Sequence, residues 1–83
     1  MTSITFAPIN EQGVNFVAVL VTDETVNFPH DADKAIIGFQ FRFRQPVVLL
    51  GERNRRWYGR SDIVEFMARV HPSRLPWRRG EIS

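Results

Sequence analysis

Apolar runs separated by short polar stretches predict two strands at the start of the chain. Residues 4–9 predict a first strand, and residues 14–22 predict a second strand that is rich in β-branched residues and apolar through its centre. Residues 10–13 end in a glycine and suit a tight turn, so the two strands are expected to form an antiparallel hairpin. Pro8 has no amide hydrogen, which predicts that the first strand lies at an edge of the sheet or ends early.

The next segment, residues 31–44, fits either a helix or a strand, and residues 23–30 before it are predicted as a polar connection. As a helix it begins with Asp31 as a cap, ends before Pro46, and carries one apolar stripe. As a strand it alternates strictly from residue 39 to residue 44. A strand would leave only a two-residue connection containing Pro46 before the next apolar run, which favours the helix. The stripe consists of Ala32, Ala35, Ile36, Phe39 and Phe43.

Two further strands and a second helix are predicted in the rest of the chain. The apolar residues 47–50 form the first of these strands, and residues 55–58 follow after a turn. A helix begins at Ser61 or Asp62 and ends before Pro72, with Glu65 three residues after Asp62 in the manner of a capping box.

The order of elements is therefore ββαββα, which predicts a small α+β domain over residues 1–83. With the middle helix as a connection, the second and third strands can be parallel through a right-handed crossover. The sheet is then mixed, and we expect both helices to pack on one face of it. Residues 72–83 contain prolines and arginines and are predicted to be an extended tail packed on the body.

Length and composition narrow the class of protein. A chain of 83 residues and 9.7 kDa supports one modest core. It contains no cysteine, which excludes disulfides, thiolate metal sites and cysteine nucleophiles. Its longest apolar run, residues 16–21, is far shorter than the roughly 20 residues that span a bilayer, and its start has no signal-peptide pattern. We therefore expect a cytoplasmic protein with no membrane association.

Charge is distributed unevenly along the chain. Residues 1–34 carry five acids and one base, whereas residues 35–83 carry four acids and ten arginines. Arginine suits bidentate contacts with phosphate or carboxylate, but a GC-rich coding sequence would also raise its frequency. The sequence leaves both explanations of the arginine excess open.

No set of residues indicates catalysis. The chain has only two histidines, and its five glycines are scattered rather than grouped in a phosphate-binding loop. Acids near His30 could ligate a cation weakly, but helix capping accounts for Asp31 and Asp33 without one. We predict no catalytic residue, no cofactor, no metal site and no enzymatic activity.

One candidate site is an arginine-rich hairpin that could bind nucleic acid or another polyanion. Its arginines could contact phosphates while Trp57 stacks on a base. If residues 55–58 form a strand, however, Arg55 and Trp57 face one side and Arg56 and Tyr58 face the other, which weakens this hypothesis. The candidate nucleic-acid patch consists of Arg53, Arg55, Arg56, Trp57 and Arg60.

A second candidate is a surface for protein partners. In the helical alternative, Ile37 and Phe41 point away from the apolar stripe and are exposed one turn apart. Trp77, in the proline-containing tail, either joins such a surface or packs back on the body as a latch. We expect the chain to be a protein-interaction or self-associating module, with nucleic-acid or polyanion binding as the alternative.

Overall fold

A computed structural model describes residues 2–11 and 13–82 of the chain and contains a five-stranded mixed sheet. The predicted α+β class and the ββαββα order are confirmed, and the structure adds a short helix and a fifth strand. In chain order the elements are β1 (Thr2–Glu11), β2 (Val14–Val21), α1 (Asp23–Asn27), α2 (Pro29–Phe43), β3 (Val47–Gly51), β4 (Trp57–Tyr58), α3 (Ser61–Met67), a one-turn 3₁₀ helix (Pro72–Arg74) and β5 (Arg78–Ile82).

The strands lie in the order β4-β3-β2-β1-β5. β2 and β3 are parallel, and every other neighbouring pair is antiparallel. α1 and α2 together make the crossover between the parallel strands, as predicted. The last strand, β5, comes from the segment that was predicted to be an extended tail, and it pairs with β1.

Pro8 lies in a part of β1 that has only one neighbouring strand among the described residues. It is opposite Val17, whose amide donates to the carbonyl of Pro46 on the β3 side (2.9 Å). Pro8 and Val17 are therefore a non-hydrogen-bonded pair, and the Pro8 nitrogen faces away from β2. β5 pairs with β1 only as far as Phe6. The edge prediction is thus wrong for residues 2–6 and correct for the stretch that contains the proline.

The middle segment is a helix, which confirms the favoured alternative. α2 begins at Pro29 rather than at Asp31, because proline has a fixed φ and needs no hydrogen bond in a first helical turn. It ends at Phe43, and the next residue, Arg44, is left-handed (φ 59°) and donates its amide to the Gln40 carbonyl at 2.8 Å. The predicted polar connection before it contains α1, whose first turn is capped by the Thr22 hydroxyl.

The helices pack on both faces of the sheet, so the prediction that they share one face is wrong. β2 and β3 are buried on both faces of the sheet. Helices on one face alone would have left the apolar side chains of the opposite face exposed to water. α1 and α2 cover the face formed by Val17, Val19, Val47 and Leu49. α3 covers the face formed by Ala7, Phe16, Ala18 and Val48.

α3 is shorter than predicted and ends at Met67. The following amides of Arg69 and Val70 donate to the carbonyls of Phe66 and Met67, three residues back, so the chain tightens into a turn. Met67 is fully buried, whereas Phe66 is only half-buried and packs edge-on against Phe16 with 6.4 Å between ring centroids.

A carboxylate ties α1 to the turn between β3 and β4. Asp23 accepts the backbone amides of Arg53 (3.0 Å) and Asn54 (3.1 Å). These two hydrogen bonds favour the ionised form and lower the pKa of Asp23 below its ordinary value. The start of the crossover and the arginine-rich turn are thereby linked at the surface.

Truncation of Met67 tests the α3 side of the core. We expect Met67→Ala to destabilise the protein by about 2–5 kcal/mol, because it removes a fully buried side chain and leaves a cavity. Urea denaturation followed by circular dichroism measures the change. Glu65→Ala, on the exposed side of the same helix, is the control and should change stability by about 0.5 kcal/mol or less. Equal midpoints for the two variants would contradict the packing of α3.

The Asp23 hydrogen bonds predict a pH-dependent contribution to stability. Because the folded pKa lies below the unfolded one, the stabilisation is present above the unfolded pKa of about 3.9 and is lost as pH falls through the folded value. Thermal melts of wild type and Asp23→Asn should therefore differ near neutral pH and converge as the pH approaches 2. A difference that stays constant over this range would contradict the role of the ionised carboxylate.

Candidate functional site

Two large apolar side chains are exposed next to each other on α2. Ile37 is 67% exposed and Phe41 is 75% exposed, and their four-residue spacing makes them neighbours on the helix surface. The Arg44 guanidinium carbon lies 5.7 Å from the centroid of the Phe41 ring. We call these two residues, with Lys34 and Gly38 beside them, the outer face of α2. It is directed away from the stripe that packs on the sheet.

Gly38 makes the outer face flat at its centre. A Cβ atom at this position would have no atom of the described chain within 4 Å. Glycine in a helix interior is less favourable than alanine by about 1 kcal/mol, and no contact within the described chain uses the missing Cβ. The site therefore has room for another backbone to approach closely.

Acids and bases flank the outer face in a polar arrangement. Asp31 lies in the first turn of α2 and Arg42 in the last, and both are exposed. They are eleven residues apart, about three helical turns, and so lie nearly in line along the helix. On the other flank, Asp33, which also accepts the Tyr58 hydroxyl, has the same sequence spacing from Arg44, the residue that follows the helix. Each flank is thus acidic near the N-terminus of the helix and basic near its C-terminus.

The opposite side of the sheet carries an open groove of about 1140 Å³. It exists because α3 ends at Met67 and covers only part of this face. Thr5 of β1 and its β2 partner Leu20 lie beyond the helix and line the groove. The turn after α3 and the start of the 3₁₀ helix form its wall, with Val70 and Pro72 among the lining residues.

Two half-buried tryptophans line this groove. Trp57 lies on β4 opposite Leu50, and Trp77 lies just before β5. The indole N–H of Trp77 donates to the Pro72 carbonyl at 2.8 Å, which holds the ring against the 3₁₀ helix. Both rings pack against the α3-side core, so Trp77 takes the packed position of the latch alternative and also borders the groove.

The charged side chains of the groove are basic. Arg55 and Arg69 line it, and none of the described lining residues is acidic. Among the described residues, neither guanidinium lies within salt-bridge distance of a carboxylate. Arg55 has a left-handed backbone (φ 57°), an uncommon conformation for arginine, and its amide donates to the Gly51 carbonyl at 3.1 Å. We call Arg55, Trp57, Arg69 and Trp77 the aromatic–basic groove.

The other residues of the candidate nucleic-acid patch lie elsewhere. The Arg56 side chain donates to the Asn27 side-chain oxygen of α1 at 3.4 Å. Arg60 makes a bidentate ion pair with Asp62, with both nitrogen–oxygen distances 2.8 Å. This pairing lowers the pKa of Asp62 to about 2. Arg53 is exposed on the turn that Asp23 holds. Of the five predicted residues, only Arg55 and Trp57 line the groove.

As predicted, residues 55 and 57 face one side of the sheet and residues 56 and 58 face the other, although β4 contains only two of the four. Arg55 and Trp57 line the groove on the α3 side. Arg56 contacts α1, and the Tyr58 hydroxyl donates to the Asp33 carboxylate of α2 at 2.9 Å, which raises the pKa of Tyr58.

The three residues of the predicted partner surface are not brought together. Ile37 and Phe41 share the outer face of α2, whereas Trp77 lies on the other side of the sheet. The sequence did not indicate Arg69 as a groove residue, because the helix predicted to end before Pro72 would have included it. The alternation of β2 does place Leu20 on the same face as Phe16 and Ala18, and this was the available signal for the groove.

Other kinds of site are not indicated by the part of the chain that the structure describes. No group of three or more histidine or acidic side chains in residues 2–11 and 13–82 could hold a metal ion. No described helix is both long and apolar enough to cross a membrane. No protein-family model matches the chain, and searches of characterised proteins and of solved structures find no significant similarity.

Proposed function

We propose that this chain is a non-enzymatic self-associating module in which the α2 helices of two copies pair antiparallel. The exposure of Ile37 and Phe41 carries the proposal. Both side chains lie on the outer face of α2, and they are 67% and 75% exposed. Adjacent exposed apolar side chains of this size are typical of interaction surfaces. Burying them between two copies would remove them from water.

The charges that flank α2 favour a second copy as the partner. In an antiparallel pair related by a two-fold axis, the same flank of each helix meets itself in the reverse direction. Asp31 of each copy would then approach Arg42 of the other, and Asp33 would approach Arg44. The pattern is therefore complementary to itself, and the opposed helix dipoles add to the same preference.

Gly38 supports close contact at the centre of such a pair. Pairing about the middle of α2 would place Ile37 of one copy against Gly38 of the other, where no Cβ obstructs it. Phe41 of one copy would lie along the aliphatic part of the Lys34 side chain of the other copy, whose ammonium group stays in water. A helix contact with a small residue at its centre allows a short distance between axes.

The proposal includes a cytoplasmic location, which localisation of the tagged chain in its host would test.

Substitution of Ile37 tests the association. Sedimentation equilibrium of wild type should show a concentration-dependent dimer, and Ile37→Lys should raise the dissociation constant at least about 10-fold, because it brings a charge into the apolar contact. Asn15→Lys adds the same charge at an exposed position of β2 and serves as the control. A wild type that is monomeric over the whole concentration range would contradict the proposal, as would association of Ile37→Lys equal to that of the control.

Reversal of the flanking charges distinguishes a second copy from a different partner. Asp31→Arg or Arg42→Asp alone places like charges opposite each other and should weaken association about 3- to 10-fold. The double variant restores opposite pairs and should recover association, although both changes oppose the helix dipole. Circular dichroism confirms that α2 remains folded in each variant. Failure of a folded double variant to recover would show that these flanks do not face each other.

A further inference from the structure

We propose that the aromatic–basic groove binds single-stranded nucleic acid, with bases stacked on Trp57 and Trp77 and phosphates contacted by Arg55 and Arg69. This site lies on the opposite side of the sheet from the outer face of α2 and does not depend on self-association. It retains two residues of the arginine-rich hairpin and adds two residues from the turn and tail that follow α3.

The shape of the groove suits a segment of polymer. Its volume of about 1140 Å³ exceeds the roughly 300–1,000 Å³ that is usual for small-molecule pockets, and it is open to solvent. Its lining residues come from β1, β2, the residues at and just before β4, and the segment 68–77, and its open side would let a chain enter and leave it.

The aromatic residues supply flat apolar surface at this site. Trp77 is held in place by its hydrogen bond to the Pro72 carbonyl, so its ring is already oriented before any ligand binds. Trp57 is held by the strand pairing between β4 and β3. Base stacking on such rings is tolerant of sequence, because every base has a flat face.

The charges of the groove select an anionic ligand. Arg55 and Arg69 are exposed, lack an acidic partner among the described residues, and line the same groove. The left-handed backbone of Arg55 is an uncommon conformation, and such conformations are concentrated at binding sites. Guanidinium groups beside stacking surfaces match the alternation of phosphates and bases in a single strand. A duplex keeps its bases stacked on each other, so they could not reach the tryptophans.

Fluorescence anisotropy with labelled ten-nucleotide oligothymidine and oligouridine tests the proposal against a duplex of equal length. We expect both single strands to bind more tightly than the duplex, and the tighter of the two identifies DNA or RNA as the source of the ligand. Two phosphate contacts predict a log–log salt slope of about −1.4, from about 0.7 per contact on a single strand. Ile37→Lys should bind equally well, because the two surfaces are separate.

Two variants assign the binding to the groove. Arg55→Glu/Arg69→Glu should weaken binding at least about 10-fold, whereas Arg53→Glu/Arg78→Glu changes the net charge equally outside the groove and should stay within about threefold. Trp57→Leu keeps apolar packing but removes the ring, and it should weaken binding about 5-fold or more. If Trp57→Leu does not fold, the two arginine pairs decide the question, since all four side chains are exposed.

Several results would overturn the proposal. These are no binding of either single strand at low salt, a duplex that binds as tightly as the single strands, and equal losses in the two double-arginine variants. A ten-residue polyglutamate peptide that competes as effectively as oligothymidine would also overturn it, because the groove would then select acidic peptides by charge alone.

Discussion

β2 and β3, two of the three interior strands of the sheet, are apolar on both faces, and the rest of the structure follows from the need to cover them. Val17, Ala18 and Val19 are all buried, and so is every residue of β3. A sheet of this kind needs helices on both sides, yet the chain has only 83 residues. The crossover between β2 and β3 supplies one layer, and the segment after β4 supplies the other.

The two layers differ in how completely they cover the sheet, and this difference creates the candidate sites. α2 is long, and its stripe packs along one face, which leaves Ile37 and Phe41 on its far side. α3 has seven residues and covers only part of the other face. The uncovered part becomes the groove, with Trp57 and Trp77 along it. One surface thus comes from a helix with excess apolar residues, and the other from a helix too short for its sheet.

Local patterns were sufficient to predict most of the elements. The β-branched run of β2 and the stripe of α2 are strong signals, and Pro46 correctly excluded a strand in the middle segment. α1 was missed because a five-residue helix depends on its Thr22 cap and on the contact of Asp23 with a distant turn. β5 was missed because its sequence, rich in charge and containing a glycine, becomes a strand only through pairing with β1.

The candidate sites could be predicted only in part. Exposure of Ile37 and Phe41 followed from helical periodicity once the helix was favoured. The apolar stripe of a helix does not determine which face of the sheet the helix packs on. The sequence therefore could not place Trp77 relative to these residues. The groove depends on where α3 ends and on which arginines find partners. Arg56 and Arg60 are held by Asn27 and Asp62, and such contacts are decided by the folded structure.

The central claim, that α2 meets a second copy of itself in the antiparallel direction, is most directly tested by disulfide cross-linking. The chain contains no cysteine, so a single introduced thiol reports one position. Ile37→Cys lies near the proposed two-fold axis, keeps a small apolar side chain and leaves Gly38 unchanged, and it should form a disulfide-linked dimer under mild oxidation. His30→Cys, on the same side of α2 but near its end, would lie roughly 20 Å from its counterpart and should not. Equal cross-linking at both positions, or cross-linking only at position 30, would contradict the antiparallel pair.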